Sequence, residues 1–378
     1  MKTLLIARDY FPPQIGGISR WLFDVCINLP KEEVICFLSS HICKNKDIYP
    51  FKVYRSRYFS AKSSYFGEMC TLSKLFYILI KEKIKIIQFE TVYVSYLALY
   101  LKKFYSCPYI IYAHGNEILS LRYSQWSKPF KALRKANKII ANSYYVKSLL
   151  KRMGIKDSKI EVIHPGVNCE KFRPNVRCDD LKEKLGLSGK KVILTVGNLV
   201  KRKGHDKVIE ALPIIIKEFP NIIYLIIGKG RDEEYLKKIV EQKKVSKYVK
   251  FLGYVSDEEL PKYYNLCDIF IMPSRERLDE NDVEGFGIVC IEASSCAKPV
   301  IAGKSGGMDN AVVDGQTGLL VNPTSSIDIA HALIKLLKNE KYAKFLGQNG
   351  RKYVLNNLSN KIMINKIRKI FFSLITKQ

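Results

Sequence analysis

The sequence predicts an α/β protein of two domains, each a parallel sheet covered by helices. Three observations predict it. The chain has 378 residues, too many for one typical domain, and 47% of them are hydrophobic, enough to fill two cores. Short β-rich apolar runs alternate with helix-length amphipathic segments along the whole chain, as parallel βαβ units require. These runs form two series, separated by the non-periodic stretch Phe172-Arg173-Pro174-Asn175-Val176-Arg177-Cys178, which reads as a linker.

The first series contains strands over Thr3–Ala7, Val34–Leu38, Ile84–Phe89, Tyr109–His114, Lys138–Ala141 and Ile160–Ile163. The second contains Val192–Val196, Ile222–Ile227, Val249–Leu252, Ile269–Met272, Pro299–Ala302 and Gly318–Val321. Most end near Gly, Asn, Ser or His and lead into a helix. Two Rossmann-like domains follow, over residues 1–173 and 174–357, with a last helix over 358–378. In that helix Ile364, Ile367, Phe371 and Leu374 share one face by helical spacing. Ligands of such sheets bind beyond the carboxyl ends of the strands, so facing domains place the site in the cleft between them.

Net charge is +27 and unevenly spread. Residues 1–175 carry 29 Lys+Arg against 12 Asp+Glu, and residues 101–152 carry 11 against 1. Such a field attracts nucleic acid, anionic lipid head groups or phosphorylated substrates. No apolar run reaches the length of a membrane-spanning helix, and the N-terminus lacks the pattern of a secretory signal, which predicts a cytoplasmic protein. The ten cysteines show no CxxC pair or metal-ligand spacing and read as reduced thiols.

Candidate functional residues stand at strand ends. After the first strand, Gly16-Gly17 precede a helix and let main-chain N–H groups approach an anion, or form a simple tight turn. His114, before Gly115, can donate to a hydroxyl, act in acid–base chemistry, or cap the next element. The second domain opens with Gly197-Asn198-Leu199-Val200-Lys201-Arg202-Lys203-Gly204, three consecutive cations before a helix, which suits a leaving diphosphate or a solvated turn. Phe251-Leu252-Gly253-Tyr254-Val255 ends another strand, where main-chain groups can read a base edge or simply turn. Glu284-Gly285-Phe286-Gly287-Ile288 then runs into a helix toward Glu292. Eight residues at helical rise span roughly 12 Å, about the separation of a sugar and the ribose of its carrier nucleotide. Two carboxylates so placed around free helix N–H groups suit a nucleotide sugar, although Glu284 also reads as a first-turn acid and Glu292 as a surface acid.

These pieces in this order resemble the retaining, GT-B-fold glycosyltransferases of family 4 along essentially the full length. The resemblance rests on Gly16-Gly17, His114-Gly115, Ile163-His164-Pro165-Gly166-Val167-Asn168, Arg202-Lys203-Gly204, Phe251-Leu252-Gly253, Pro273-Ser274 and Glu284 with Glu292. Phe11-Pro12-Pro13, Ile15-Gly16-Gly17-Ile18 and Asp282-Val283-Glu284-Gly285 look most like mannosyltransferases acting on phosphatidylinositol mannosides.

The resemblance implies a hexosyltransferase of cell-envelope glycan or glycolipid synthesis. It would move mannose from GDP-mannose, or glucose or N-acetylglucosamine from a UDP-sugar, onto a lipid-linked or saccharide acceptor. Lys203 and Arg202 would hold the diphosphate, Glu284 the sugar hydroxyls and Glu292 the ribose. Main-chain groups from Gly285 through Phe286 and Gly287 to Ile288 would line sugar and phosphates, with Asn198 and Val255 also at the donor. Gly16 and Gly17 would meet diphosphate or acceptor, and His114 the sugar. The last helix would cross back to the first domain. Asn198 departs from the Arg that many relatives carry, and Arg275–Asp282 is longer than the usual link, a candidate flap near the sugar. No Asp-x-Asp occurs, so cations and a helix dipole would replace a metal, and no cofactor is expected.

Trp126, Lys128, Phe130, Lys131, Arg134 and Lys135 read as a basic amphipathic stretch that can lie on an anionic membrane, or as a core face with solvated lysines. The first reading predicts a peripheral enzyme on the inner face of the cell membrane. A GT-B-fold epimerase is the alternative within the fold, and a nucleic-acid-binding protein the alternative from charge, although no recognition motif supports the latter.

Overall fold

The computed structural model describes residues 1–9, 11–12, 16–40, 49–60, 64–121, 124 and 126–376. Pro13 and Ile15 of the N-terminal motif lie outside the described residues. The chain divides into two compact units: unit 1, Met1–Gly166 with Asn360–Gln378, and unit 2, Val167–Ser359.

Unit 1 holds seven strands: β1 (Thr3–Ala7), β2 (Val34–Ser39), β3 (Lys52–Ser56), β4 (Ile86–Phe89), β5 (Tyr109–Ala113), β6 (Lys138–Ala141) and β7 (Ile160–Val162). They pair in parallel in the order β3-β2-β1-β4-β5-β6-β7, with Thr3 opposite both Val34 and Ile86. Helices α1 (Gly17–Ile27), α2 (Tyr65–Lys81), α3 (Leu97–Leu101), α4 (Asn116–Leu121), α5 (Lys128–Lys135) and α6 (Tyr144–Arg152) connect them. The strands β1, β2, β4 and β5 are buried along their whole length, which is why each reads as a mainly apolar run. The edge strand β3, Lys-Val-Tyr-Arg-Ser, has an exposed end and carries two cations, so it lacks that run and the sequence reading omitted it.

Unit 2 holds β8 (Lys191–Val196), β9 (Ile222–Ile227), β10 (Val249–Gly253), β11 (Ile269–Met272), β12 (Val300–Gly303) and β13 (Leu319–Val321), parallel in the order β10-β9-β8-β11-β12-β13. Its helices are α7 (Asp179–Lys184), α8 (His205–Ile215), α9 (Glu233–Gln242), α10 (Leu260–Leu266), α11 (Ile288–Ser295), α12 (Ser326–Lys338) and α13 (Glu340–Asn357). Alternate strand residues feed two cores: Ile223, Leu225 and Ile227 enter one, Ile222, Tyr224 and Ile226 the other.

The division falls at Gly166/Val167, ahead of the expected break at Arg173. The reason lies in the packing of the presumed linker. The Val167 N–H donates to Leu358 O (2.9 Å), Phe172 is buried in a unit 2 core, and the Arg351 guanidinium gathers the carbonyls of Cys169 (3.2 Å), Phe172 (2.9 Å) and Ser295 (2.7 Å). The last helix, α14 (Asn360–Ile375), belongs to unit 1. Its Met363 sulfur accepts from Trp21 Nε1 on α1 (3.0 Å) and from Gly166 N (3.2 Å), while Ile364, Ile367 and Phe371 are buried. In each sheet the winding reverses once, between β1 and β4 and between β8 and β11. Loops leaving those strand pairs diverge and open a crevice where ligands of such sheets bind.

Candidate functional site

At the unit 2 reversal, β8 ends in a loop whose last turn is a 3₁₀ segment, Lys201–Lys203, closed by Gly204 in the left-handed conformation (φ 75°). Only glycine fits there, because a Cβ would lie 2.2 Å from the Pro273 carbonyl oxygen at the end of β11. The loop after β11 is tied to the same turn. Arg275 N donates to Arg202 O (2.9 Å), and the Arg275 guanidinium binds both oxygens of buried Asp206 (3.0 and 2.8 Å). Beneath the turn His205 is buried, with Nε2 3.2 Å from Asn198 O and Nδ1 3.4 Å from the Tyr224 hydroxyl. Burial pulls its pKa down to about 4, so the ring is neutral at pH 7.

The segment Arg275–Asp282 is an ordered hairpin. Arg277 N donates to Asp282 O (2.8 Å), Asp282 N donates to Arg277 O (3.0 Å), and Asn281 turns the chain at φ 52°. Beyond it, Val283 is buried, while Asp282 and Glu284 on either side reach the cations. One Glu284 oxygen, Oε2, accepts from Lys203 Nζ (2.5 Å) and from Arg202 Nη1, and Arg202 Nε donates to Asp282 Oδ1 (2.7 Å). Burial opposes the Glu284 charge, but Lys203 and Arg202 outweigh it and hold the carboxyl at about 2. Burial shifts Lys203 downward against that same carboxylate. The result is a compact cluster in which two cations share one carboxylate oxygen.

The rest of the expected donor set needs correction in part. Helix α11 starts only at Ile288, after Gly287 at φ 94°, so Glu284 precedes the helix and is no first-turn acid. The helical rise therefore does not describe the path from Glu284 to Glu292. Glu292 is no surface acid either. It is 1% exposed and accepts from the Tyr264 hydroxyl (2.7 Å). The Phe286 ring and Val255 side chain lie in a unit 2 core, so only their main chains can face a ligand. Gly285 is buried, and Ile288 half-buried at the helix start. The Asn198 residue is exposed, with its carbonyl oxygen engaged by His205.

At the unit 1 reversal, buried Glu90 accepts from Arg8 N (2.6 Å) and Asp9 N (2.9 Å) at the end of β1. The following helix, α1, starts after Gly16 (φ 155°), which as a glycine offers no side-chain cap. His114, at the tip of β5, stands edge-on to Trp21 (5.3 Å between rings) and meets Glu90 O through Nε2 (2.7 Å). A carbonyl partner makes Nε2 the protonated nitrogen. Nδ1 is then a buried acceptor without a partner among the described residues, and burial keeps the ring neutral. This corrects the sequence-based role: His114 is poised to accept, not donate, a hydrogen bond. Glu90 and Glu117, whose carboxylate takes the His114 N–H (2.5 Å), were missed because their partners are main-chain groups that composition does not reveal.

The basic stretch needs a second correction. In α5, Phe130 (4% exposed), Ala132 and Leu133 face the core, while Lys128, Lys131, Arg134 and Lys135 are exposed. Phe130 therefore cannot enter a membrane, and only Trp126 (88% exposed) stands outward. The exposed apolar face is on α2, where Phe66, Met69, Tyr77 and Ile80 follow helical spacing beside Lys74 and Lys81. Among the described residues, no helix is long and apolar enough to cross a membrane, and no group of His, Cys, Asp and Glu could hold a metal ion.

Comparison with known proteins fits this arrangement. The model of glycosyl transferases group 1 matches residues 178–353 and that of glycosyltransferase family 4 matches residues 15–171. A GDP-mannose-dependent monoacylated alpha-(1-6)-phosphatidylinositol monomannoside mannosyltransferase of Corynebacterium glutamicum is 30% identical over 380 residues, 98% of each chain. A GDP-mannose-dependent alpha-(1-6)-phosphatidylinositol monomannoside mannosyltransferase of Mycolicibacterium smegmatis is 34% identical over 249 residues, 65% of this chain but 64% of that protein's length. Among solved structures, HepE of Anabaena in complex with UDP superposes with a TM-score of 0.82 at 21% identity, covering 99% of this chain and 100% of HepE. A glycosyltransferase from Rickettsia africae gives 0.82 at 24% identity, covering 100% of this chain and 99% of that one. Two Rossmann-like units in one chain, the glycine-bounded cation turn and 30% identity to the Corynebacterium protein over 98% of the chain lead to one conclusion: the chain belongs to the family 4 glycosyltransferases of the GT-B fold.

Proposed function

We propose that this chain transfers a hexose from a nucleoside diphosphate sugar to a lipid-linked acceptor with retention of configuration, and that the donor is GDP-mannose. The observation that carries the reading is the cluster of Arg202, Lys203 and Glu284 at the unit 2 reversal. A diphosphate offers the two cations more charge than one carboxylate does. As it binds, Glu284 is released toward the sugar hydroxyls. The anomeric carbon–oxygen bond to the diphosphate then breaks, and the bond to the acceptor oxygen forms on the same face. The acceptor proton passes to the leaving phosphate oxygen, while Arg202 and Lys203 take up the developing charge in a site of low dielectric. These cations stand in for a divalent metal, so we expect activity in EDTA. On unit 1, His114 Nδ1 offers an acceptor to a substrate hydroxyl. GDP-mannose is favoured over UDP-sugars by the names of the Corynebacterium and Mycolicibacterium relatives.

The acceptor reading is supported by the α2 face. Exposed Phe66, Met69, Tyr77 and Ile80, flanked by Lys74 and Lys81, have the chemistry of an interfacial helix on anionic lipid.

The test incubates the protein in EDTA with GDP-mannose or UDP-glucose and vesicles containing phosphatidylinositol lipids, and follows the anomeric signal of the product by NMR. Mannosylated lipid of retained configuration supports the reading. Transfer from UDP-glucose alone would replace the donor, and inversion would overturn the mechanism. Cosedimentation with anionic but not neutral vesicles, lost in Phe66→Ser/Ile80→Ser, supports the α2 surface; equal binding by that variant would remove it.

A further inference from the structure

Asp282 has no part in the chemistry described so far, yet it holds one of its two cations. We propose that Asp282 is a positioning residue whose carboxylate fixes the Arg202 guanidinium through Nε and so aims its Nη end at the donor diphosphate. The inference rests on the reading of Arg202 and Lys203 as diphosphate-binding groups.

Four observations support it. First, the two carboxylates divide the guanidinium between them: Asp282 Oδ1 takes Nε at 2.7 Å, Glu284 takes Nη1, and among the described residues Nη2 takes no partner. Second, Glu284 is shared with Lys203 through the same oxygen, whereas the Asp282 oxygen Oδ1 takes the Nε edge of Arg202. An anion arriving at both cations competes with Glu284 and leaves the Nε contact standing. Third, Asp282 is itself held. It closes the hairpin through both main-chain bonds to Arg277 (2.8 and 3.0 Å). The hairpin base is fixed by Arg275 on Asp206 and by Gly306 N on Glu276 Oε1 (2.9 Å). Fourth, Arg275 N holds the carbonyl of Arg202 (2.9 Å), so the residue is gripped at both main chain and side chain from one loop. An arginine side chain has many rotamers, and a planar fork held at one edge loses that freedom before the ligand arrives.

The experiment measures binding of GDP and of UDP, in EDTA, to the wild-type protein and to Asp282→Asn, Asp282→Glu, Arg202→Ala and the double variant Arg202→Ala/Asp282→Asn. Thermal melting of each variant verifies folding. For whichever nucleotide binds, Asp282→Asn weakens affinity about 10-fold and Asp282→Glu stays within about 3-fold of wild type, as loss or retention of one charge-assisted hydrogen bond implies. In the Arg202→Ala background, Asp282→Asn adds less than about 2-fold, because its effect runs through Arg202. Wild-type or tighter binding by Asp282→Asn would overturn the inference, since the carboxylate would then only neutralise or restrain the cation. An equal loss with and without Arg202 would make its role structural and overturn it as well. Failure of both nucleotides to bind wild type, or undiminished binding by Arg202→Ala, would refute the diphosphate site itself and the inference with it.

Discussion

Between β8 and β11, two cations meet two carboxylates in a cluster that an incoming anion can rearrange; between β1 and β4, the buried carboxylate of Glu90 binds the main-chain N–H groups of Arg8 and Asp9. Both places are reversals of the same parallel winding. The difference teaches what each is built for. Ion pairs with some solvent access can exchange one anion for another, because the cations lose nothing when a diphosphate replaces Glu284. A carboxylate spent on two N–H groups has no such substitute, and its removal leaves part-buried donors unpaired. The unit 2 reversal is arranged for chemistry. The unit 1 reversal, where Arg8 pairs with Asp9 (2.7 Å) beside Glu90, is arranged for shape, with His114 Nδ1 as an acceptor that has no partner among the described residues.

Four experiments can break or sharpen this contrast. The largest effect falls at Glu284. Glu284→Gln should lower sugar transfer about 10³-fold, in the range seen when a transition-state contact is removed. It should leave free nucleoside diphosphate bound at least as tightly as in wild type. Retained transfer, assayed with radiolabelled donor, would contradict the sugar-binding role. Glu90→Ala should act the other way, costing about 2 kcal/mol of stability in urea unfolding of unit 1 by leaving two part-buried N–H groups unpaired. If it affected only activity, the contrast between the two reversals would collapse.

His205 provides a pH test. Its folded pKa of about 4 lies below the ordinary value of 6.5. The unfolded chain therefore takes up the proton first. The contribution of the neutral ring is complete above pH 6.5 and is lost as pH falls toward 4, on the order of 3 kcal/mol in total. In His205→Gln the stability of unit 2 should decline less across that window, and an unchanged slope would refute the buried neutral ring. The smallest effect belongs to His114→Ala. It should slow transfer about 10-fold through one lost hydrogen bond, without the loss of nucleotide binding expected for unit 2 variants. Weakened GDP binding would contradict a role at a substrate hydroxyl alone.

Much of this was legible in the sequence, for identifiable reasons. Strands buried on both faces announce themselves as apolar runs, so β1, β2, β8 and β9 could be read almost to the residue, while the half-exposed edge strand β3 could not. Arg202 and Lys203 could be found because glycines bracket them at a strand end. Glu284 stood out for its place in a Gly-Phe-Gly turn. The supporting shell was hidden. Asp282 meets Arg202 across 80 positions, and Arg275 meets Asp206 across 69, with no periodicity to relate them. Phe130 misled because an amphipathic helix has the same pattern whether its apolar face meets lipid or a core; only the packing of α5 decides.

The central claim is that Lys203 and Arg202 form a metal-free diphosphate site. Calorimetric titration of GDP-mannose, UDP-glucose and their free nucleotides into wild type and Lys203→Ala, in EDTA, tests it most directly. The account predicts saturable binding of one nucleotide series to wild type, weakened about 10- to 100-fold in Lys203→Ala, as loss of a charged hydrogen bond to phosphate implies. Binding that disappears in EDTA, or that Lys203→Ala leaves intact, would contradict it.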